Sequence, residues 1–151
     1  MKRWGTRLHA AIYRLTRGRV LGRVGGQPVL LLETAGRRTG QPRTTPVQYL
    51  AEGDTFVVVA SNAGAARPPA WYLNLRANPH AQVQVGERTI DVRAQEAAGQ
   101  ERAELWQRLT AANRYLERAA RKAGRDLPLM ALVPQRRRLR GEPLTGRDDT
   151  H

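Results

Sequence analysis

The chain contains no cysteine, which excludes disulfides, thiolate metal sites and cysteine nucleophiles together. Its three histidines, His9, His80 and His151, are scattered, so no metal centre is expected. Aromatic residues make up only 5% of the chain, with a single phenylalanine, and platforms for stacking nucleic-acid bases are correspondingly few. No apolar run approaches the ~20 residues of a membrane-spanning helix, and the N-terminus lacks the apolar stretch and small-residue cleavage site of a signal peptide. There is no Gly-x-Ser-x-Gly elbow, no Gly-x-Gly-x-x-Gly after a strand and no phosphate-loop signature, which disfavours a protein-borne hydrolytic triad and the dinucleotide and ATP folds. The expectation is one cytoplasmic domain within 151 residues whose chemistry, if it is an enzyme, comes from a cofactor.

Acidic residues are scarce beside basic ones, 13 against 26, for a net charge of +13. The distribution of that charge matters more than its sum. Residues 1–25 hold seven basic side chains (Lys2, Arg3, Arg7, Arg14, Arg17, Arg19, Arg23) and no acid, whereas residues 26–134 carry fourteen basic against ten acidic ones and are only mildly basic. Within the leading segment, Trp4, Leu8, Ala11, Ile12 and Leu15 share one face of a helix and Arg3, Arg7, Arg14 and Arg17 the other. Such a basic amphipathic helix over 1–25 suits a cover docked on its own domain, an anionic membrane surface at the inner face of the cell membrane, or nucleic acid. The mild charge of the body argues against nucleic acid as a partner.

Between the termini the pattern is mostly that of strands. Pro28–Leu32, Thr44–Leu50 and the β-branched run Thr55–Ser61 predict three strands, with a tight turn at Glu52-Gly53-Asp54. Ala70–Arg76 predicts a short helix bounded by Pro68-Pro69 and Asn78-Pro79. Ala81–Val85 and Ile90–Val92 alternate apolar and polar residues around Gly86-Glu87, as a hairpin does. Residues 100–123 predict a long helix or a helical pair, Leu129–Val133 a last strand, and 135–151 a basic tail without apolar period or fixed structure. The sum is an α+β, mainly β fold: an antiparallel barrel of about six strands spanning 26–134.

The densest chemical signal is Gly36-Arg37-Arg38-Thr39-Gly40-Gln41-Pro42-Arg43, three guanidinium groups on a glycine-flanked turn between two apolar runs. Guanidinium forks bind phosphate or carboxylate bidentately and never lose their charge. The segment reads either as an anion cradle or as a solvated hairpin tip in an arginine-rich chain.

That segment, Val58-Val59-Ala60-Ser61, and Ala70-Trp71-Tyr72-Leu73-Asn74-Leu75-Arg76-Ala77-Asn78-Pro79 together resemble, in order and spacing, the three motifs of the deazaflavin-dependent nitroreductase family of actinobacteria. The resemblance runs from about Pro28 to Pro134. It implies a split β-barrel of the flavin-reductase-like type that binds the deazaflavin coenzyme F(420) and passes hydride from its reduced form to a quinone, nitro compound or activated alkene. By resemblance, Arg37, Arg38, Thr39 and Arg43 contact the cofactor's anionic tail, Thr44 and Thr45 lie along its linker, and Ala60, Ser61, Asn62, Ala70, Trp71, Tyr72 and Asn74 surround the ring, although Trp71 and Tyr72 also suit plain core packing. Gln48, Ser61 and Tyr115 are candidate acceptor contacts, and no catalytic residue is assigned. Members often carry a lysine and two glycines after the Ala-Ser pair, where this chain has Asn62-Ala63-Gly64-Ala65. Nitroimidazole-reducing members have several tyrosines where this chain reads Asn113-Arg114-Tyr115-Leu116-Glu117-Arg118-Ala119, and one on the second strand, where Gln48 stands. Two alternatives accompany this reading, a non-catalytic deazaflavin carrier and an FMN-binding oxidoreductase of the same fold, and the protein is expected to be a monomer or a homodimer.

Overall fold

The computed structural model describes residues 23–24 and 27–135. The apolar run at Val29–Leu32 seeds the central strand: β1 (Arg23–Val24) and β2 (Gln27–Ala35) pair antiparallel, and Leu30, Leu31 and Leu32 are all at most 2% exposed. Strand β2 is flanked on one side by β3 (Pro42–Gln48), in register from Val29↔Gln48 to Ala35↔Pro42. On the other it meets β6 (His80–Val85). Side chains on both faces of Val29–Leu32 are buried, which is why this stretch reads as a continuous hydrophobic run rather than an alternating one.

The remaining strands are β4 (Leu50–Glu52), β5 (Thr55–Val59), β7 (Arg88–Glu96) and β8 (Leu129–Pro134). Every pairing is antiparallel, in the order β1-β2-β6-β7-β8-β5-β4 with β3 added to β2. Strands β3 and β4 are consecutive in the chain, separated by Tyr49 alone, yet they occupy opposite ends of the hydrogen-bonded path. The sheet therefore curls into a barrel left open between β3 and β5. The Tyr49 N–H donates to the Pro28 carbonyl at 3.1 Å and fixes the corner where the chain crosses that opening.

The described residues also form three α-helices: α1 (Ala70–Ala77), α2 (Gly99–Ala112) and α3 (Tyr115–Ala123). Pro69 sits just ahead of α1, where a missing N–H costs nothing. The backbone breaks between α2 and α3 at Asn113, whose side-chain oxygen accepts from the Tyr115 N–H at 3.1 Å. Apolar side chains form two cores. Leu30, Leu32, Phe56, Val58, Trp71 and Val83 fill the barrel, while Val57, Leu105, Leu109, Leu116 and Leu129 seal α2 and α3 against its outside. Strand β5 lies between the two, so Val57 and Val58 are both buried on opposite faces.

The strand count exceeds the expected six because the two-residue β1 and the three-residue β4 are added. The predicted strand Thr44–Leu50 is interrupted at Tyr49, and the run from Thr55 leaves the ladder after Val59. The helical expectation for 1–25 lies outside the described residues, apart from Arg23–Val24, which belong to β1. The tail expectation lies outside them from Arg136 onward. No helix among the described residues is long and apolar enough to cross a membrane.

Candidate functional site

The arginine turn is built from its backbone outward. Gly40 adopts φ +76°, and its N–H donates to the Gly36 carbonyl at 2.7 Å, while the Gly36 N–H donates to the Gln41 carbonyl at 2.8 Å. A Cβ on Gly36 would stand 3.2 Å from that carbonyl oxygen, so the closure leaves little room for a side chain there. The Thr39 hydroxyl accepts from the Gln41 N–H at 3.1 Å. Behind the turn lies Asn74 of α1, only 3% exposed. Its Oδ1 accepts from the Arg37 N–H at 3.0 Å, and its Nδ2 donates to the Thr34 hydroxyl at 3.0 Å. Both ends of a buried amide are thereby satisfied, and helix and turn are locked together.

What this scaffold presents is positive charge without an internal counterion. Arg37 and Arg38 are exposed, Arg43 is half-buried, and none of the three forms a salt bridge among the described residues. The Arg43 guanidinium reaches only the Pro42 carbonyl, at 3.2 Å. The main-chain N–H groups of Arg38 and Thr39 also meet no acceptor among the described residues. The Arg37 Nη1 lies back on Asn74 Oδ1 at 3.5 Å, and the cluster of guanidinium and amide donors on this one turn suits an anion.

A cavity of ≈ 300 Å³ opens where the barrel is split. Val47 of β3, Val59 at the end of β5, Trp71 of α1, Leu109 of α2 and Leu116 of α3 give it apolar walls. Thr45, Gln48, Ser61, Asn62 and Asn113 place neutral hydrogen-bonding groups on its rim. Tyr49 also contributes, its ring packed edge-on against Phe56 with centroids 5.3 Å apart. Among the described residues, no carboxylate or ammonium lines it. Cavity and arginine turn share one strand: β3 begins at the turn with Pro42 and Arg43 and reaches the cavity wall at Thr45, about 7 Å further on at the rise of an extended chain. Arg43, Thr45 and Val47 share a strand face.

A second, open groove of ≈ 900 Å³ lies outside β2, β6 and β7. Glu33 and Asp91 line it, a poor setting for an anionic ligand despite its greater size.

Of the residues singled out in the sequence, Thr45, Gln48, Ser61, Asn62 and Trp71 meet at the cavity, and Arg37, Arg38, Thr39 and Arg43 meet at the turn. Thr44 lies between the two, paired with Glu33. The others sit elsewhere. Ala60 is fully buried and Ala70 is exposed at the start of α1. Tyr72 is 5% exposed in the barrel core, its hydroxyl donating to Glu96 Oε1 at 2.8 Å. Burial, and then the hydrogen bond to that carboxylate, raise its pKa above the ordinary tyrosine value. Asn74 supports the turn, and Tyr115 is 41% exposed with the Arg118 guanidinium 6.0 Å from its ring centroid. Sequence reasoning missed Tyr49 and Leu109 as wall residues; it marked the stretch 113–119 through the resemblance without singling out Asn113 and Leu116 within it. The helical spacing of Leu105 and Leu109 marked a buried face, but nothing local says that its last turn closes a cavity.

Known proteins resemble this chain over most of its length. Residues 4–134 match the family model described as F(420)H(2)-dependent quinone reductase. An F(420)H(2)-dependent quinone reductase of Mycobacterium tuberculosis (strain H37Rv) is 43% identical over 132 residues, 84% of this chain and 88% of that protein. Among solved structures, an F(420)-H2-dependent reductase superposes with TM-score 0.64 at 31% identity, covering 70% of this chain and 93% of its own. Another, described as a domain-swapped dimer, superposes with TM-score 0.67 at 28% identity over 85% of this chain and 96% of its own. The chain belongs to the F(420)H(2)-dependent quinone reductase family.

Proposed function

We propose that this protein reduces quinones with the deazaflavin coenzyme F(420), holding the cofactor's anionic tail on the arginine turn and the reacting rings in the split of the barrel. The observation that carries this reading is that β3 joins a cluster of guanidinium groups without counterions to a largely apolar cavity. A ligand with a phosphodiester and glutamate tail at one end and a planar ring at the other needs those two environments side by side. The described residues fit the cofactor: Arg37, Arg38 and Arg43 lack internal counterions, and the apolar walls contributed by Trp71, Val59 and Leu116 suit an aromatic ring.

The bound reduced cofactor supplies the hydride. The chain's own part is placement and electrostatics. Strand β3 and the loop after β5 hold the two rings in one dry slot, which converts an encounter into a near-contact arrangement. The Asn113 amide and the Ser61 hydroxyl line the cavity as donors for an oxygen on which negative charge grows as a quinone is reduced. No carboxylic acid stands among the described lining residues, and water at the mouth of the cavity is the proton source proposed to complete the reduction.

Parallel fluorescence titration with oxidised deazaflavin and with FMN, followed by turnover of a soluble quinone by the reduced deazaflavin, tests the reading. Micromolar deazaflavin binding with turnover is expected; tight binding without turnover would make the protein a carrier, and preference for FMN would overturn the cofactor assignment. For assembly we propose a homodimer, supported by the domain-swapped dimer among the relatives, and light scattering at micromolar protein concentration checks it. We also propose that residues 1–25 meet an anionic membrane surface, where quinones reside. Flotation with anionic liposomes that survives deletion of those residues would reject that role.

A further inference from the structure

The segment from Ser61 to Pro69, between β5 and α1, carries an unusual backbone. Asn62 (φ 47°), Ala63 (φ 56°) and Gly64 (φ 81°) are three left-handed residues in succession, and only the last is glycine. A side chain at positive φ is disfavoured for each of the other two, so the conformation persists only if its surroundings over-determine it. Within the segment, the Gly64 N–H donates to the Ser61 carbonyl at 2.8 Å, the Ala65 N–H to the Asn62 carbonyl at 3.0 Å, and Asn62 Nδ2 to the Arg67 carbonyl at 2.9 Å. These are local bonds that a relaxed loop would exchange for water.

The long-range restraint comes from the far end of α3. One terminal nitrogen of Arg125 donates to the carbonyls of Ala65 at 3.1 Å and Arg67 at 3.2 Å, and Lys122 Nζ reaches the Ala63 carbonyl at 3.4 Å. Gly64 lies flush on the helix, where a Cβ would stand 2.9 Å from Lys122 Cδ and 3.3 Å from the Ala119 carbonyl oxygen. The Arg125 Nε is buried without an acceptor among the described residues, although the residue as a whole is half-buried, so part of the guanidinium is held against the loop at a desolvation cost. The opposite side of the same loop, Ser61, Asn62 and Ala63, forms the cavity wall.

We propose that Arg125, with Lys122 assisting, is a positioning residue for the reaction: it clamps the left-handed loop and thereby sets where Asn62 and Ala63 stand in the cavity. The inference rests on the reading of that cavity as the site where ring and acceptor meet. Arginine suits the role because its planar guanidinium aims the two N–H bonds of one terminal nitrogen in fixed directions, one at each carbonyl, which a freely rotating lysine ammonium does less well.

The test is R125M, which keeps the stem and removes the fork, compared with wild type, R125K and the double variant R125M/A63G. Amide hydrogen exchange, read without any cofactor, is expected to speed up at least tenfold at Gly64 and Ala65 in R125M, with the amides of β5 and β8 unchanged. KM for a soluble quinone is expected to rise at least fivefold with kcat within twofold. R125K should fall between the two, and glycine at position 63, which accepts positive φ freely, should return both readouts toward wild type. A simple loss of fold would lower the active fraction and kcat instead, without rescue by A63G. Unchanged exchange at Gly64 and Ala65 in R125M would overturn the clamp. Faster exchange with unchanged KM would overturn its role in placing the acceptor. Failure of the wild type to reduce any quinone would overturn the proposed function and the cavity half of this inference, while the exchange result judges the clamp independently.

Discussion

Arg38 and Asn74 serve the same turn in opposite ways. Arg38 is exposed with no partner among the described residues, so its charge adds little to the fold and is free for the binding role proposed for it. Truncation to alanine is expected to weaken deazaflavin affinity by about 1.5–3 kcal/mol, the range for a lost charge-assisted hydrogen bond, with a melting temperature close to wild type. Asn74 is buried and satisfied at both ends of its amide. Asn74→Ala leaves the Arg37 N–H and the Thr34 hydroxyl without that partner and is expected to cost about 1–3 kcal/mol of stability in urea unfolding, with cofactor affinity falling as the turn loosens. A ligand contact and a support are thus separable by one pair of measurements. Ala63 adds a third case: relief of its positive φ by Ala63→Gly is expected to raise unfolding free energy by about 1 kcal/mol. A destabilising result would mean that the wild-type residue is not held in that conformation.

At the scale of elements, what was legible in the sequence followed local rules. The hairpin Ala81–Val92 alternates because one face is wet, and α1 is bracketed by Pro69 and Pro79, so both were readable from neighbours in the chain. The break at Asn113 was not, because it depends on an amide side chain turning back to the Tyr115 N–H. The wall formed by Leu109 and Leu116 was equally illegible, since helical spacing gives the buried face of a helix and not the object it faces. Tyr72 shows the same boundary: its place on α1 was clear, but its partner Glu96 lies 24 residues on, at the end of β7. That contact gives α1 an alkaline weakness. Because the folded-state pKa of Tyr72 is raised, its contribution is complete below the unfolded tyrosine value of about 10 and is lost as pH rises toward the folded value. Urea unfolding at pH 7 and near pH 11 is expected to show a larger loss for wild type than for Tyr72→Phe. Equal losses would show that this hydroxyl does not set the alkaline limit.

For the molecule as a whole, function follows from a barrel that does not close. The two ends of the sheet, β3 and β4, are joined through Tyr49 without completing the ladder, and helices α2 and α3 roof the resulting opening. The slot is therefore part of the topology, while the charge beside it comes from one turn at the start of β3 and its shape in part from a loop held against α3. If the chemistry takes place there and not in the larger acidic groove outside β2, β6 and β7, filling the slot must stop turnover without unfolding the protein. Ala112 offers the means: it lies on the cavity rim yet is exposed at the last turn of α2, so a large side chain there meets no packed core. Ala112→Trp is expected to lower kcat/KM for quinone at least tenfold, equivalent to about 1.4 kcal/mol of lost transition-state stabilisation. Its melting temperature should stay within a few degrees of wild type, because a surface substitution away from buried groups changes stability little. Wild-type turnover in that variant would place the reaction elsewhere on the molecule. Lost turnover with wild-type stability would fix it in the split between β3 and β5.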